Sequence, residues 1–243
     1  AHNKLTDSKI DALIGGDLVN QISISSYNAA KYRIPYLGVY SACASYAEEL
    51  IIGAALISGK LAKNIVCVTS SHNLNAERQF RYPVEYGAVK KHTTTFTTTA
   101  AIATLLTSDM TSIKLESATI GKVIDMGVKD TNNMGAVMAP AAADTLKNLF
   151  QDTKTKPSDY DLIATGDLGK LGSELLVDLL ENYGYKVGEN YCDCVQIIYD
   201  NNERAFMGGS GCGCSASVMN SYILSKLDAG DYKKVILMST GAL

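Results

Sequence analysis

Cys43, one of six cysteines in this 243-residue chain, is the first residue whose position suggests chemistry. It lies in Tyr40-Ser-Ala-Cys-Ala-Ser45, between a predicted strand ending near Tyr40 and a predicted helix ending near Gly59. A thiol at a helix N-terminus meets unpaired N–H groups and the positive end of the helix dipole, and both favour the thiolate. Cys43 is therefore a candidate nucleophile or ligand contact. A small buried cysteine packed at the strand–helix junction explains the position equally well.

A second group of polar residues directly follows the next predicted strand. Its members are His72, Asn73, Arg78 and Arg81. The carboxyl end of that strand should face the same crevice as Cys43, which makes all four candidate ligand-binding residues. Guanidinium groups suit carboxylate ligands because they offer paired donors. An ion pair of Arg78 with Glu77 or Glu85 at a surface or an interface is the simpler interpretation.

Asp17 and Asp167 occupy equivalent positions, each after the first predicted strand of one half of the chain. Such carboxylates could bind a ligand or transfer a proton, and we count Asp17 among the candidate ligand-binding residues. An aspartate that caps the following helix or turn is the commoner case.

The remaining candidates, Ser210 and Cys214, lie in a Gly-rich stretch before a helix of the second half. Cys192-Asp-Cys194 and Cys212-Gly-Cys214 could suggest zinc, but the usual gap between paired ligands is two residues. We therefore expect no metal site. We also expect reduced thiols, because a chain of this size does not need disulfides for stability.

An internal repeat organises the elements that position these residues. Residues 8–18 match residues 158–168 at five of eleven positions, and the strand and helix patterns that follow also recur. Strands are predicted near 11–15, 35–40, 64–70, 94–107, 112–126, 160–166, 195–200 and 234–240, and helices near 20–31, 43–58, 141–150, 170–183 and 214–228. Pro140 suits a first helical position. The pattern predicts an α/β protein of two βαβαβ halves, residues 1–149 and 150–243, although one doubly wound domain with chance similarity is the alternative.

Composition excludes several classes of protein. The chain is 47% hydrophobic and 19% charged, which is ordinary for a globular protein. Its net charge is −3 and no run of basic residues exceeds two, so nucleic acid is not an expected partner. We expect no transmembrane segment, because the longest apolar runs are far shorter than the roughly 20 residues that a span requires.

The duplicated unit with a cysteine heading a helix resembles the thiolase-like fold, with α-β-α-β-α layers. Several strings further resemble the stage V sporulation protein AD family of spore-forming Firmicutes. They are Gly16-Asp-Leu, Tyr40-Ser-Ala-Cys-Ala-Ser, Ala76-Glu-Arg-Gln-Phe-Arg-Tyr-Pro and Gly208-Gly-Ser-Gly-Cys-Gly-Cys-Ser. The resemblance runs almost end to end. Compared with that family, we expect this sequence to lack an opening strand–helix segment and a short C-terminal stretch with the last strand.

The resemblance implies a function that the fold does not. Members of that family bind dipicolinic acid, alone or as its calcium chelate, and act in its uptake into the developing spore. They do so with membrane proteins of the same operon, as peripheral proteins of the spore inner membrane. The expected partners are therefore dipicolinic acid and those membrane proteins, with calcium only as part of the ligand and no other cofactor. Thiolase-like proteins also form homodimers, and the resemblance places the shared strand near residues 64–70.

The residues argue against catalysis. Condensing enzymes pair the cysteine with histidine and asparagine from the second half, whereas residues 150–243 here contain no histidine. Such enzymes carry His-Gln-Ala-Asn where this chain has Thr165-Gly-Asp-Leu168. We expect a binding protein that has lost the chemistry. The alternatives are an active acyltransferase with Cys43 as nucleophile and His72 as base, and a structural interaction protein whose pocket is vestigial.

Overall fold

The computed structural model describes residues 9–199 and 205–242, and each half of the sequence contributes one main β-sheet. The strands are β1 (Ala12–Gly16), β2 (Tyr36–Val39), β3 (Asn64–Ser71), β4 (Phe96–Thr97), β5 (Ala100–Thr107), β6 (Leu162–Thr165), β7 (Tyr191–Asp193), β8 (Gly209–Ser210) and β9 (Val235–Met238). The helices are α1 (Ser23–Ala29), α2 (Ser45–Ser58), α3 (Asn73–Phe80), α4 (Met134–Thr153), α5 (Gly169–Asn182), α6 (Cys194–Tyr199), α7 (Cys212–Val218) and α8 (Leu224–Asp228). A π-helical turn, Met219–Ile223, joins α7 to α8.

The two sheets follow the same plan. The first has the order β2-β1-β3-β5, in which β1, β2 and β3 run parallel and β5 runs antiparallel to β3. The second has the order β7-β6-β9 and is parallel throughout. The central strands β1 and β6 consist almost entirely of aliphatic residues and glycine and are largely buried, as expected for parallel strands covered on both faces. This arrangement confirms the predicted α/β class.

Equivalent hydrogen bonds in the two halves confirm the internal repeat. One carboxylate oxygen of Asp11 accepts hydrogen bonds from the backbone N–H groups of Lys63 and Asn64, before β3. Asp161 does the same for Lys233 and Lys234, before β9. Each aspartate therefore ties the start of its own strand to the start of the parallel neighbour.

The halves also contact each other directly. The short strand β4 of the first half pairs in parallel with β8 of the second. The Asn220 side chain donates a hydrogen bond of 2.9 Å to the Tyr46 hydroxyl. The boundary predicted between residues 149 and 150 falls inside α4, which packs along α5. The division into two halves otherwise stays a prediction.

Two predicted strands are wrong. Residues 112–126 form no strand: they pair with none of the described strands, and most of their side chains are exposed. Strand propensity without such pairing does not make a strand. Residues 195–200 were expected as a strand, but the strand is β7 and Cys194–Tyr199 is helical. The Asp193 carboxylate accepts a hydrogen bond from the backbone N–H of Val195, and this capping starts a helix despite the β-branched residues that follow.

Further differences concern residues 72–92, where neither a strand nor a helix is predicted, and the start of α4. Residues 73–80 form helix α3. Helix α4 starts at Met134, because the Asn133 side chain accepts a hydrogen bond from the Ala136 N–H and caps it there. Pro140 therefore lies inside the helix, not at its first position.

The position of β3 bears on the expected homodimer. β3 pairs with β1 on one side and with β5 on the other, so both of its edges are occupied. The expectation that this strand continues the sheet into a second copy is therefore wrong. The homodimer itself stays a prediction. Within the described residues, no helix combines the length and the apolar character needed to cross a bilayer.

Candidate ligand pocket

A small pocket lies where the two halves meet, with a cavity volume of about 30 Å³. Ligand pockets in proteins span roughly 300–1,000 Å³, so this cavity must widen before it can hold an organic ligand. Its polar wall residues are Cys43, Arg81, Thr97, Asp167 and Ser210, and its main apolar ones are Leu18, Phe80, Met134 and Met138. The pocket is thus mainly apolar, with a few polar groups that converge from both halves.

Cys43 lies on a 3₁₀ turn, Ala42–Ala44, one turn before α2 begins. Ala42 adopts a φ of 46°, a left-handed conformation that residues with a side chain rarely adopt. The turn is held by Ser45, whose hydroxyl donates to the Ala42 carbonyl at 2.8 Å and accepts from the Ser41 N–H at 3.1 Å. The strained turn places the Cys43 side chain at the pocket wall.

The electrostatic surroundings of Cys43 oppose ionisation. Burial raises the pKa of the Cys43 thiol well above its ordinary value, and the neighbouring Asp167 carboxylate raises it further. The backbone N–H of Gly211 lowers the pKa, but by less. The expectation that the helix terminus favours the thiolate is therefore wrong: the effects of burial and of the adjacent carboxylate are larger.

Asp167 is the acidic group of the pocket. It follows β6 and is almost fully buried. Its Oδ2 accepts a hydrogen bond of 3.3 Å from the Gly211 N–H, whereas its Oδ1 has no hydrogen-bond partner among the described residues. Burial raises the pKa of Asp167 to about 6. The side chain can therefore be neutral or charged near neutral pH, and one oxygen remains available to a ligand.

Arg81 supplies the cationic group of the wall, directly after α3. Its side chain is only 4% exposed, and its Nη1 donates a hydrogen bond of 2.7 Å to Oε1 of the buried Glu77. Lys90 pairs with the other oxygen of Glu77. The Arg81 Nε–H has no hydrogen-bond partner among the described residues. Glu77 thus fixes and partly neutralises the guanidinium, while one donor remains unused.

Two further candidates, Ser210 and Cys214, are separated by the structure. Ser210 is on β8 and lines the pocket, but Cys214 is buried in the apolar core of the second half. Ser215 donates a hydrogen bond to the Cys212 carbonyl three residues before it, as Ser45 does to Ala42. By this correspondence the position equivalent to Cys43 is Gly213, and neither Cys212 nor Cys214 matches it.

The other four candidates do not line the pocket. Asp17 is buried, and its two oxygens accept hydrogen bonds from the backbone N–H groups of Val19 and Ser25, so it caps the segment leading into α1. The Asn73 side chain donates to the Thr97 carbonyl. His72 is exposed at the start of α3, and Arg78 forms an exposed ion pair with Glu85. The ion-pair interpretation of Arg78 thus agrees with the structure.

The sequence did not indicate Asp167 as a binding residue, although Asp167 and Asp17 occupy equivalent positions of the internal repeat. The two aspartates differ in the backbone donors that surround them. The backbone N–H groups of Val19 and Ser25 bind the two carboxylate oxygens of Asp17. The Leu168 N–H, directly after Asp167, instead binds the Asp193 carboxylate. That contact is tertiary, so no local signal distinguishes the two aspartates.

The six cysteines are all free thiols, and no group of three or more His, Cys, Asp or Glu side chains able to hold a metal ion occurs in residues 9–199 and 205–242. Cys192 lies on β7 and Cys194 begins α6, whereas Cys212 and Cys214 are both on α7, so the two Cys-X-Cys pairs belong to different elements.

The fold is similar to solved condensing enzymes at low sequence identity. The 3-oxoacyl-[acyl-carrier-protein] synthase III of Aquifex aeolicus VF5 matches with a TM-score of 0.65 at 11% identity, over 98% of this chain and 75% of that one. A variant of Xanthomonas campestris OleA, bound with cerulenin, matches with a TM-score of 0.67 at 14% identity, over 96% and 70% of the two chains. The protein therefore has the thiolase-like fold.

Closer relatives define the family. The model of the stage V sporulation protein AD family matches residues 1–243. Stage V sporulation protein AD of Bacillus subtilis (strain 168) is 45% identical over 241 residues, which cover 99% of this chain and 71% of that protein. The chain belongs to the stage V sporulation protein AD family.

Proposed function

We propose that this protein binds dipicolinic acid, alone or as its calcium chelate, in the pocket between its halves. The observation that carries the proposal is the composition of the wall. Apolar side chains such as Leu18, Phe80 and Met138 suit a flat aromatic ring, while Arg81 and Asp167 each retain one unused polar atom for a carboxylate. A carboxylate can accept a hydrogen bond from the Arg81 Nε–H and another from protonated Asp167.

We further propose that the pocket binds its ligand without transforming it. Thiolate attack requires a cysteine that ionises readily, but the pKa of Cys43 is raised. No histidine lines the pocket within the described residues, and His72 is exposed outside it. Loss of a positioned general base typically costs 10²–10⁴-fold in rate. In this proposal Cys43 contributes a wall contact only.

In the cell, we propose, the protein delivers dipicolinic acid to membrane proteins encoded in the same operon, at the inner membrane of the developing spore. Membership of a sporulation family supports this role. A peripheral attachment is proposed, with calcium arriving only as part of the ligand.

The test is titration calorimetry of the full chain with dipicolinic acid, with and without calcium, beside an acyl-CoA. We expect saturable binding of dipicolinic acid and no heat from the acyl-CoA. Ser210→Val, which adds bulk at the pocket wall without changing charge, should weaken binding at least about tenfold, because a filled pocket excludes the ligand. Cys43→Ala should bind nearly as well as the unchanged protein.

Arginine variants provide a matched pair. Arg81→Gln should weaken binding of dipicolinic acid, whereas Arg78→Gln removes the same charge from an exposed position outside the pocket and should not. Circular dichroism checks that both variants fold. Covalent labelling of Cys43 by the acyl-CoA, without any dipicolinic acid signal, would establish the acyltransferase alternative. Absence of any saturable ligand would leave a structural protein with a vestigial pocket.

A further inference from the structure

A second cavity lies beside the ligand pocket, and Arg81 forms part of the wall of both. This cationic cleft has a volume of about 380 Å³ and is open to solvent. Its charged and amide-bearing residues are Arg81, Lys90, Lys91, Lys129, Asp130 and Asn132. Four cations and one carboxylate therefore line it, in a chain whose overall net charge is −3.

These positive charges are only partly neutralised locally. Glu77, which is buried, is shared by Arg81 and Lys90, so one carboxylate serves two cations. Lys91 pairs with Asp130 at 3.0 Å, in a largely exposed contact. Lys129 has no carboxylate partner among the described residues. The cleft thus retains an excess of positive charge that a negatively charged occupant would offset.

Concentrating like charges in a concave site costs free energy, because cations repel one another at short range, and a bound anion would offset this cost. Concave surfaces lined by one sign of charge also focus the field and raise the local concentration of counter-ions.

We propose that the cationic cleft is a binding site for a small oxyanion that carries two or more negative charges. Carboxylates and phosphates share this chemistry, since both accept hydrogen bonds from ammonium and guanidinium groups. The site does not depend on the proposed function of the inner pocket, because Lys91, Lys129 and Asn132 do not line that pocket.

The test is equilibrium titration of the full chain at low ionic strength with citrate and, separately, with inorganic pyrophosphate, with acetate as a monovalent control. We expect citrate or pyrophosphate to bind saturably and acetate not to bind. The tighter of the two probes identifies the carboxylate or the phosphate form of the ligand. Failure of both probes to saturate would overturn the proposal.

Single lysine variants locate the probe. Lys91→Gln and Lys129→Gln should each weaken binding by about tenfold, as expected for loss of one charge-assisted contact. Lys63→Gln is the matched control, because Lys63 also forms an ion pair with an aspartate and is 61% exposed, against 60% for Lys91. An equal loss in Lys63→Gln would show a general effect of net charge and overturn the proposal.

Ser210→Val separates the two cavities, because Ser210 lines only the inner pocket. Binding of citrate or pyrophosphate should survive this substitution. Loss of probe binding in Ser210→Val would place the probe in the inner pocket and refute a site in the cleft. If dipicolinic acid fails to bind while the probes bind as expected, the proposed function fails and the cleft remains.

Discussion

Replacing Glu49 with glutamine should make the stability of the protein less sensitive to pH. Glu49 is fully buried in α2, where its Oε2 accepts a hydrogen bond of 2.6 Å from the Thr69 hydroxyl. Its Oε1 has no hydrogen-bond partner among the described residues. Burial raises the pKa of Glu49 from 4.5 to about 8. The carboxyl group is thus largely neutral at pH 7 and resembles the amide that would replace it.

The sign and size of the effect follow from linkage. The folded protein holds the Glu49 proton more tightly than the unfolded chain does. The free energy of unfolding therefore falls as pH rises from about 4.5 to about 8. The slope from this one group approaches about 1.4 kcal/mol per pH unit, and over the whole window the loss is on the order of 5 kcal/mol. Glu49→Gln removes this contribution, since glutamine does not ionise.

The measurement is urea unfolding at pH 5.5 and pH 8 of the unchanged protein, Glu49→Gln and the control Glu181→Gln. We expect Glu49→Gln to exceed the unchanged protein in free energy of unfolding by about 1.5 kcal/mol at pH 5.5 and by about 4 kcal/mol at pH 8. The control alters an exposed position on α5 and should keep the original pH dependence. Equal pH slopes in the unchanged protein and Glu49→Gln would refute the assignment of the buried proton to Glu49.

Three further outcomes follow from the same structure. Asp167→Asn should speed alkylation of Cys43 by iodoacetamide at pH 8, measured by mass spectrometry, because the Asp167 carboxylate raises the pKa of the thiol; an unchanged rate would contradict this. Titrations from pH 5 to pH 8 should show dipicolinate binding weaken above about 6 as Asp167 ionises, and Asp167→Asn should abolish that dependence. Gly135→Ala should lower the free energy of unfolding by roughly 1–3 kcal/mol, because the added Cβ would lie 2.5 Å from the Leu168 carbonyl oxygen. Gly53→Ala, whose Cβ meets the flexible end of a leucine, is its control, and equal losses would contradict the argument.

The fold was largely predictable from the sequence because its strongest signals are local. Asp11 and Asp161 occupy equivalent positions of the internal repeat, and each accepts hydrogen bonds from backbone N–H groups just before the neighbouring parallel strand. The error over residues 112–126 has a tertiary cause, since such residues form a strand only when they pair with a neighbouring strand, and this segment pairs with none of the described strands. At residues 195–200 one capping contact from Asp193 outweighed strand propensity.

The site was predictable only in part. The strand–helix junction predicted the location of Cys43, and proximity in sequence brought Arg81 into consideration. The same proximity also suggested His72 and Arg78, because a helix was not expected over residues 73–80. His72, directly before α3, and Arg78, on α3, are exposed, whereas the Arg81 side chain, directly after the helix, is buried against Glu77. Distinguishing them requires the three-dimensional path of the chain.

The segment between β5 and α4 has a consequence for proteolysis. From residue 109 to residue 129 the described chain makes no backbone–backbone hydrogen bond, and Lys114 is exposed there. Limited trypsin treatment should therefore nick the chain first in this segment, after Lys114, Lys122 or Lys129, since proteases cut segments that can enter their active sites without unfolding. The two fragments should remain associated after the nick, because the β4–β8 pairing and the Asn220–Tyr46 hydrogen bond both join residues on opposite sides of it. Separately expressed fragments divided at this position should then reassemble into the native fold.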